Sequence, residues 1–420
     1  MGIDQGNYSP DLLKKIVYAG TQFPSFAQGS AALEAFGRLT VSAKQVERVA
    51  EKIGDERVAR RDRAVREFVE LPLMERTRSP APNPPPASTA ACVMMDGGRL
   101  QILDRRRRNA DATEAGGDAS QQRSGHWRED KIGLLTTMES KVSAVDPQPE
   151  IPEHFVDPTR ILQLTREIKG HVASVDDEAV ESASATADDA EPDADPMKPK
   201  PRVRTMVATR HAAEKFGAIL AQAAWARGFS AAARKAFVAD GATVNWGIHK
   251  QWFDDYVPIL DFIHALTYVF ASAAAGRDFR VGWKTYRDWI RLVWSGRVEE
   301  VIAALEVRRS ELGEAQKDDC DTCPRRIVAE ALSYLRNNKD RMRYAEYRKA
   351  GLPMTSSHME STVKLFNRRV KGSEKFWSET GAEAILQLRA DHLSETEPLA
   401  EFWKDRQDTA TGRRRYRRTG

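Results

Sequence analysis

Three acidic residues have the surroundings of carboxylates that could meet a metal ion. Asp96 and Asp240 each follow an apolar run and precede a glycine, in VMMDGG and FVADG. Singly, each reads as a turn residue capping the next element. Together they say more. If their strands lie parallel and adjacent in an α/β sheet, both carboxylates emerge at one edge, in the crevice where such sheets bind ligands. Two acids that close repel and raise a pKa unless a divalent cation neutralises them. Glu360 is the candidate third acid. It opens a helix after Thr355, Ser356, Ser357 and His358, at the border of a stripe of Met359, Val363, Phe366 and Val370. The plainer reading of Glu360 is an i, i+4 ion pair with Lys364. Oxygen ligands of this kind suit Mg²⁺. Two such ions about 3.5 to 4 Å apart activate a water or 3′-hydroxyl and stabilise the leaving oxygen in phosphodiester attack. Phosphoryl transfer on DNA is the chemistry this set suggests.

The elements that must position these acids can be read from pattern. CVMM and LQIL are strand-like runs broken by Asp96, Gly97 and Gly98, and Trp127 to Ser140 resumes a strand pattern through Ile132, Leu134 and Leu135. A helix is expected from Thr209 to Gly228, a strand from Lys235 into Asp240, a short helix from Trp246 to Phe253, and a second strand ending at Asp261. Residues 262–350 read as almost wholly helical, including Trp283 to Trp294, Val298 to Leu312 and Ile327 to Tyr347. Further helices begin at Glu360 and Gly381. Strands and helices alternate before a helical block, which predicts an α/β core with an all-helical insertion.

Ahead of this core, Ser9 with Pro10 and Asp11 marks a helix start. Ser25 with Gln28 and Ser42 with Gln45 match the capping box, in which two side chains satisfy orphan N–H groups. Three short helices with a tight turn before the last suit a helix-turn-helix DNA binder, with Lys44 and Arg48 outward on the last helix. An ordinary helical hairpin fits the spacing equally. The organisation expected is a helical module over 1–74, a proline-rich linker over 75–90, and the first part of the core over 91–261, with disordered loops near 104–125 and 176–200. The helical insertion covers 262–354, C-terminal core helices 355–400, and a basic tail 401–420.

Composition sets outer limits. The 420 residues carry 65 Lys and Arg against 61 Asp and Glu, so the charge of +4 excludes a uniformly basic nucleic-acid coat protein. Residues 176–197 hold nine acidic residues and almost no apolar ones, an exposed loop by composition. No run approaches the ~18 apolar residues of a membrane helix, and an intracellular, cytoplasmic location is expected. The three cysteines cannot build a disulfide framework. Cys320 and Cys323 form one C-x-x-C, short of the four ligands a structural zinc needs.

The runs VMMDGGRLQI, HWREDKIGLL, AFVADGATVNWGIHKQWF, ILDFIHAL, SSHMESTVKLFNRRVKGSEKFWS and GAEAILQLRADHLS resemble bacterial insertion-sequence transposases of the DDE type. The likeness is to the Kra-type group, with Lre-type and Mutator-like relatives, and spans the helical module and the catalytic region. It implies a ribonuclease H-like fold with Asp96, Asp240 and Glu360 as the catalytic, metal-holding triad, two Mg²⁺ ions replaceable by Mn²⁺, and cleavage and joining of DNA at terminal inverted repeats by a homo-oligomer. Asp261 and His264 look like the D-x-x-H signature of related transposases. They are supporting residues, Asp261 being also a fallback metal ligand. Lys364, Arg368, Arg369 and Lys371 follow Glu360 closely and are expected to bind DNA. Phe376 and Trp377 beside them could stack on an unpaired base or belong to the core. The insertion's Trp283, Tyr286, Trp289 and Trp294 have the helical spacing of a core.

Overall fold

The computed structural model describes residues 8–78, 80, 85–103, 126–169 and 199–410. The two loops expected to be disordered lie almost wholly outside these residues, as does the arginine cluster at 413–418. Three helices begin the described chain: α1 (Pro10–Gln22), α2 (Phe26–Gly37) and α3 (Ala43–Glu70). Each start is capped as its sequence predicts. The hydroxyls of Ser9, Ser25 and Ser42 accept from the N–H groups of Leu12, Gln28 and Gln45. Gln45 does not close a reciprocal box; its amide donates to the Tyr8 hydroxyl. A left-handed Arg38 ends α2.

After a short α4 (Leu73–Arg76) the chain enters β1 (Thr89–Ile102), β2 (Trp127–Glu139), α5 (Pro158–Lys169), β3 (Lys200–Thr209), α6 (Ala213–Ala226), β4 (Lys235–Ala239), α7 (Thr243–Trp252) and β5 (Val257–Leu260). The sheet order is β3-β2-β1-β4-β5, antiparallel across β3, β2 and β1 and parallel from β1 through β5. Strand β1 corrects one expectation. It runs unbroken through Asp96, Gly97 and Gly98 because β2 pairs with it from Thr89 to Gln101, so every glycine still has a ladder partner.

Both faces of the sheet are covered, as its parallel half requires. Ala90, Cys92 and Met94 point into one apolar layer and Ala91, Val93 and Met95 into the other. The first layer contains α8 (Phe262–Ala274), α9 (Phe279–Trp294), α10 (Val298–Leu312), α11 (Pro324–Asn338) and α12 (Tyr344–Lys349). Tyr286, Trp289 and Trp294 are buried there, in line with a core role. The helix expected over 327–347 is broken at a 3₁₀ turn, Lys339–Arg341. The chain then returns through α13 (Ser357–Val370), β6 (Phe376–Trp377), α14 (Glu379–Leu393) and α15 (Pro398–Asp408). Phe402 and Trp403 of α15 are buried, so residues 401–408 are a packed helix and not part of a tail.

The amino-terminal helices are docked on the core. Helix α3 runs 28 residues, far past the short helix expected. Its first half packs Val46, Ala50 and Ile53 into one layer, and its far end sends Val65 and Phe68 into the other. It crosses α14 so closely that a Cβ on Gly54 would stand 2.6 Å from Ala384. Two buried ion pairs, Arg57–Asp391 and Arg61–Glu383, lock the crossing. The chain does leave the helical module near residue 75, but the elements on either side share one core. Among the described residues no helix is long and apolar enough to cross a membrane.

Candidate functional site

Asp96 and Asp240 meet at one sheet edge, though not in the manner their sequences suggest. Strand β4 ends at Ala239, and its pairing with β1 stops at Met94. Beyond that point β1 continues beside β2 alone. Asp96 therefore lies mid-strand, two residues past the end of its parallel contact, while Asp240 leaves the tip of β4. The two are electrostatically coupled. Burial raises the Asp96 pKa most, and the charges of Asp240 and Asp261 push the same way, against the Gly97 N–H and His264.

Each carboxylate is fixed through one oxygen. Asp96 Oδ1 accepts from the Gly97 N–H at 2.7 Å. Asp240 Oδ1 accepts from the Ala242 N–H at 2.9 Å and from Asn245 Nδ2 at 2.7 Å. The turn after Asp240 is held from above by α11, where the Tyr334 hydroxyl donates to the Asp240 carbonyl at 2.7 Å. Gly241, at φ 95°, admits that ring. A side chain here would be strained in backbone and would meet Tyr334 at 2.8 Å. Tyr334 stacks on Tyr268 at 3.7 Å, and Lys169 lies 3.3 Å from the centre of the Tyr268 ring. Burial holds Lys169 down near a pKa of about 8.

Asp261 joins these parts. It is fully buried, and its N–H bonds to the Ala239 carbonyl. Oδ1 caps α8 by accepting from the Ile263 N–H, while Oδ2 accepts from the Ser356 hydroxyl and lies 3.0 Å from His264 Nδ1. Both its oxygens are thus engaged with protein groups. Through these bonds it contacts His264 and ties the start of α13 to the end of β5. Burial pulls the His264 pKa down, but the Asp261 hydrogen bond and the charges of Asp261, Asp240 and Asp96 outweigh it and raise the value to about 9.

Glu360 stands in the first turn of α13, half-buried. Burial and the Asp261 charge raise its pKa, while His264 and Lys364 lower it, in that order of strength. Both His264 and the Lys364 of the expected i, i+4 pair act on Glu360 electrostatically. Asp96, Asp240 and Glu360 are half-buried oxygen donors, the ligand type a hard divalent cation takes. They stand apart: among the described residues no group of three or more His, Cys, Asp or Glu side chains is gathered to hold a metal ion.

The expected DNA contacts divide. Lys44, Arg48, Lys364, Arg368 and Lys371 are exposed, Lys44 being paired with Glu47 at 2.9 Å. Arg369 is not available. It is 2% exposed, donates to the Gly20 carbonyl at 2.9 Å, and lies over the rings of Phe26 and Trp377. It clamps the amino-terminal helices to α13. Trp377 is buried with its N–H on the Val370 carbonyl, a core residue, whereas Phe376 is 44% exposed.

Sequence reasoning passed over Tyr334, Tyr268, Lys169 and Asn245. Tyr334 sits at ordinary core spacing in its helix, so nothing in its pattern marks it. Asp130 was also missed. It is fully buried on β2 opposite Gly98, its carboxylate without a hydrogen-bond partner and its pKa raised by burial to about 6. The signal was present, since Asp130 shares alternation with Ile132 and Leu134 and so had to face inward. No protein-family model matches the chain, and no curated protein is similar to it.

Proposed function

We propose that the chain is a DDE-type transposase, with a ribonuclease H-like core interrupted by an all-helical insertion and a helix-turn-helix-like module at its amino end. One observation carries the reading. Asp96 on β1 and Asp240 just past β4 lie beyond the end of the parallel pairing of these adjacent strands, and the helix bearing Glu360 is tied to that edge through Ser356 and Asp261. The substrate would be DNA bearing the element's terminal inverted repeats, handled by a homo-oligomer.

Asp96, Asp240 and Glu360 would hold two Mg²⁺ ions, with Mn²⁺ able to substitute. When bound, such ions lower the pKa of an attacking water or 3′-hydroxyl and neutralise charge on the phosphoryl oxygens. The chain's own residues supply the rest. Asn245 and Tyr334 fix the Asp240 turn, and Asp261 keeps His264 charged beside the acids. Exposed Lys364, Arg368 and Lys371 along and just after α13 offer phosphate contacts, and Lys44 and Arg48 offer others at the start of α3.

A second reading has its own support. The acids are not gathered at ligand distance among the described residues, as fits a transposase-derived DNA-binding protein without catalysis. The full chain, incubated with Mg²⁺ and a plasmid carrying the DNA that flanks this reading frame, separates the readings. Nicked ends that become joined to target DNA are expected. Cleavage without joining would indicate a nuclease, and retention of the plasmid in a gel shift with neither product would favour the binding protein.

A further inference from the structure

The turn that starts α11 holds Cys320 and Cys323 with their sulfurs 2.8 Å apart. Cys320 is exposed and Cys323 half-buried. The Cys323 N–H donates to the Cys320 carbonyl at 3.0 Å, Cys323 is the capping residue of the helix, and Pro324 follows at its first position. The turn is braced from outside. Asp319 is buried, and its carboxylate accepts from the Gln316 N–H at 2.7 Å and from Arg325 Nε at 2.8 Å. Arg326 donates to the Asp319 carbonyl at 2.9 Å. Two thiols are therefore held against each other, at the surface, by a scaffold that does not depend on them. A metal reading lacks ligands, because no third His, Cys, Asp or Glu completes a set among the described residues.

We propose that Cys320 and Cys323 form a reversible intrachain disulfide, a modification site that exchanges with low-molecular-weight disulfides and is separate from the sheet-edge acids. Cys320 is the first nucleophile. It is the exposed member, and contact with Cys323 and Thr322 holds its thiol below the usual range, while Cys323 is held above it. With glutathione disulfide as oxidant, the Cys320 thiolate attacks one glutathione sulfur and displaces a glutathione thiolate. Cys323, losing its proton, attacks the Cys320 sulfur of the mixed disulfide and displaces the second glutathione. Two electrons pass from the protein dithiol to the oxidant, and the two thiol protons end on two glutathione molecules. Cys92, fully buried in β1, is the internal control, its thiol pushed up by burial.

The test equilibrates the native full-length chain with graded mixtures of reduced and oxidised glutathione, blocks free thiols with iodoacetamide and maps peptides by mass. Under reducing mixtures Cys320 and Cys323 are expected to be alkylated and Cys92 spared. Under oxidising mixtures the peptide spanning both cysteines should be two hydrogens lighter, unalkylated, and restored by dithiothreitol. Cys320→Ser should leave Cys323 able to form only a glutathione adduct. Persistent alkylation at every ratio, a stable glutathione adduct on wild-type Cys320, bridges only between chains, or thiols protected by a co-purified zinc ion would each overturn the proposal.

Discussion

Two clusters of charge among the described residues are treated differently. At the crossing of α3 and α14 each acid has an arginine. Arg57 Nε donates to Asp391 at 2.8 Å, Arg61 donates to Glu383 at 2.9 Å, and Glu383 accepts further from the Thr209 hydroxyl and the Arg210 N–H. At the sheet edge Asp96, Asp240, Asp261 and Glu360 have no arginine; Asp261 bonds to His264, and the others feel that histidine's charge from further off. Residue types are nearly the same. Pairing separates them: the acids of the crossing are matched by arginines that hold two helices together, while those at the sheet edge have hydrogen bonds but no arginine, which is what the proposed cation would supply.

The sharpest way to break this comparison is to neutralise an acid on each side. Asp96→Asn or Asp240→Asn should lower Mg²⁺-dependent DNA cleavage by about a thousandfold or more, the scale of losing a metal's several kcal/mol. The urea midpoint should hold or rise, because a repulsion has been removed. Arg57→Ala should do the reverse. Stranding Asp391 in the α3–α14 seam is expected to cost about 3–5 kcal/mol in urea unfolding. An equal loss of stability from both substitutions would erase the distinction.

Two histidines extend the contrast to pH. The folded pKa of His264 is raised to about 9, so in metal-free protein its contribution is present below its unfolded pKa of 6.5 and fades as pH climbs toward 9. That of His392 is lowered to about 4 by burial and by Arg389, so its contribution is present above 6.5 and fades as pH falls toward 4. Each limb is worth on the order of 3 kcal/mol. Melting temperature against pH, read for His264→Gln and His392→Gln, should lose the alkaline slope in the first and the acid slope in the second. The smallest effect belongs to Tyr334→Phe. Removing one hydrogen bond from the Asp240 carbonyl should slow cleavage by about tenfold or less, near the ~1 kcal/mol of one such bond. Unchanged cleavage would free α11 from any part in holding the Asp240 turn.

Helix starts, β4, β5 and the helical block were legible because caps and apolar period are local. Strand β3 was not read from its residues, being short of apolar side chains where it begins at Lys200. The length of α3 was hidden by its charged second half, which reads as solvated but meets Asp391 and Glu383. In the candidate site, the closeness of Asp96 and Asp240 was legible because each follows an apolar strand and stands before a glycine. Arg369 was misread for a physical reason. An arginine in a basic run looks solvated unless one knows that the Gly20 carbonyl and two aromatic rings await it.

The sheet-edge carboxylates are proposed to bind divalent cations. Electron paramagnetic resonance titration of the full-length chain with Mn²⁺ tests this proposal directly. Two bound ions are predicted for the wild type, with loss of both in the Asp96→Asn, Asp240→Asn double variant and no change in Asp391→Asn. Equal Mn²⁺ binding by wild type and double variant, or none by either, would contradict it.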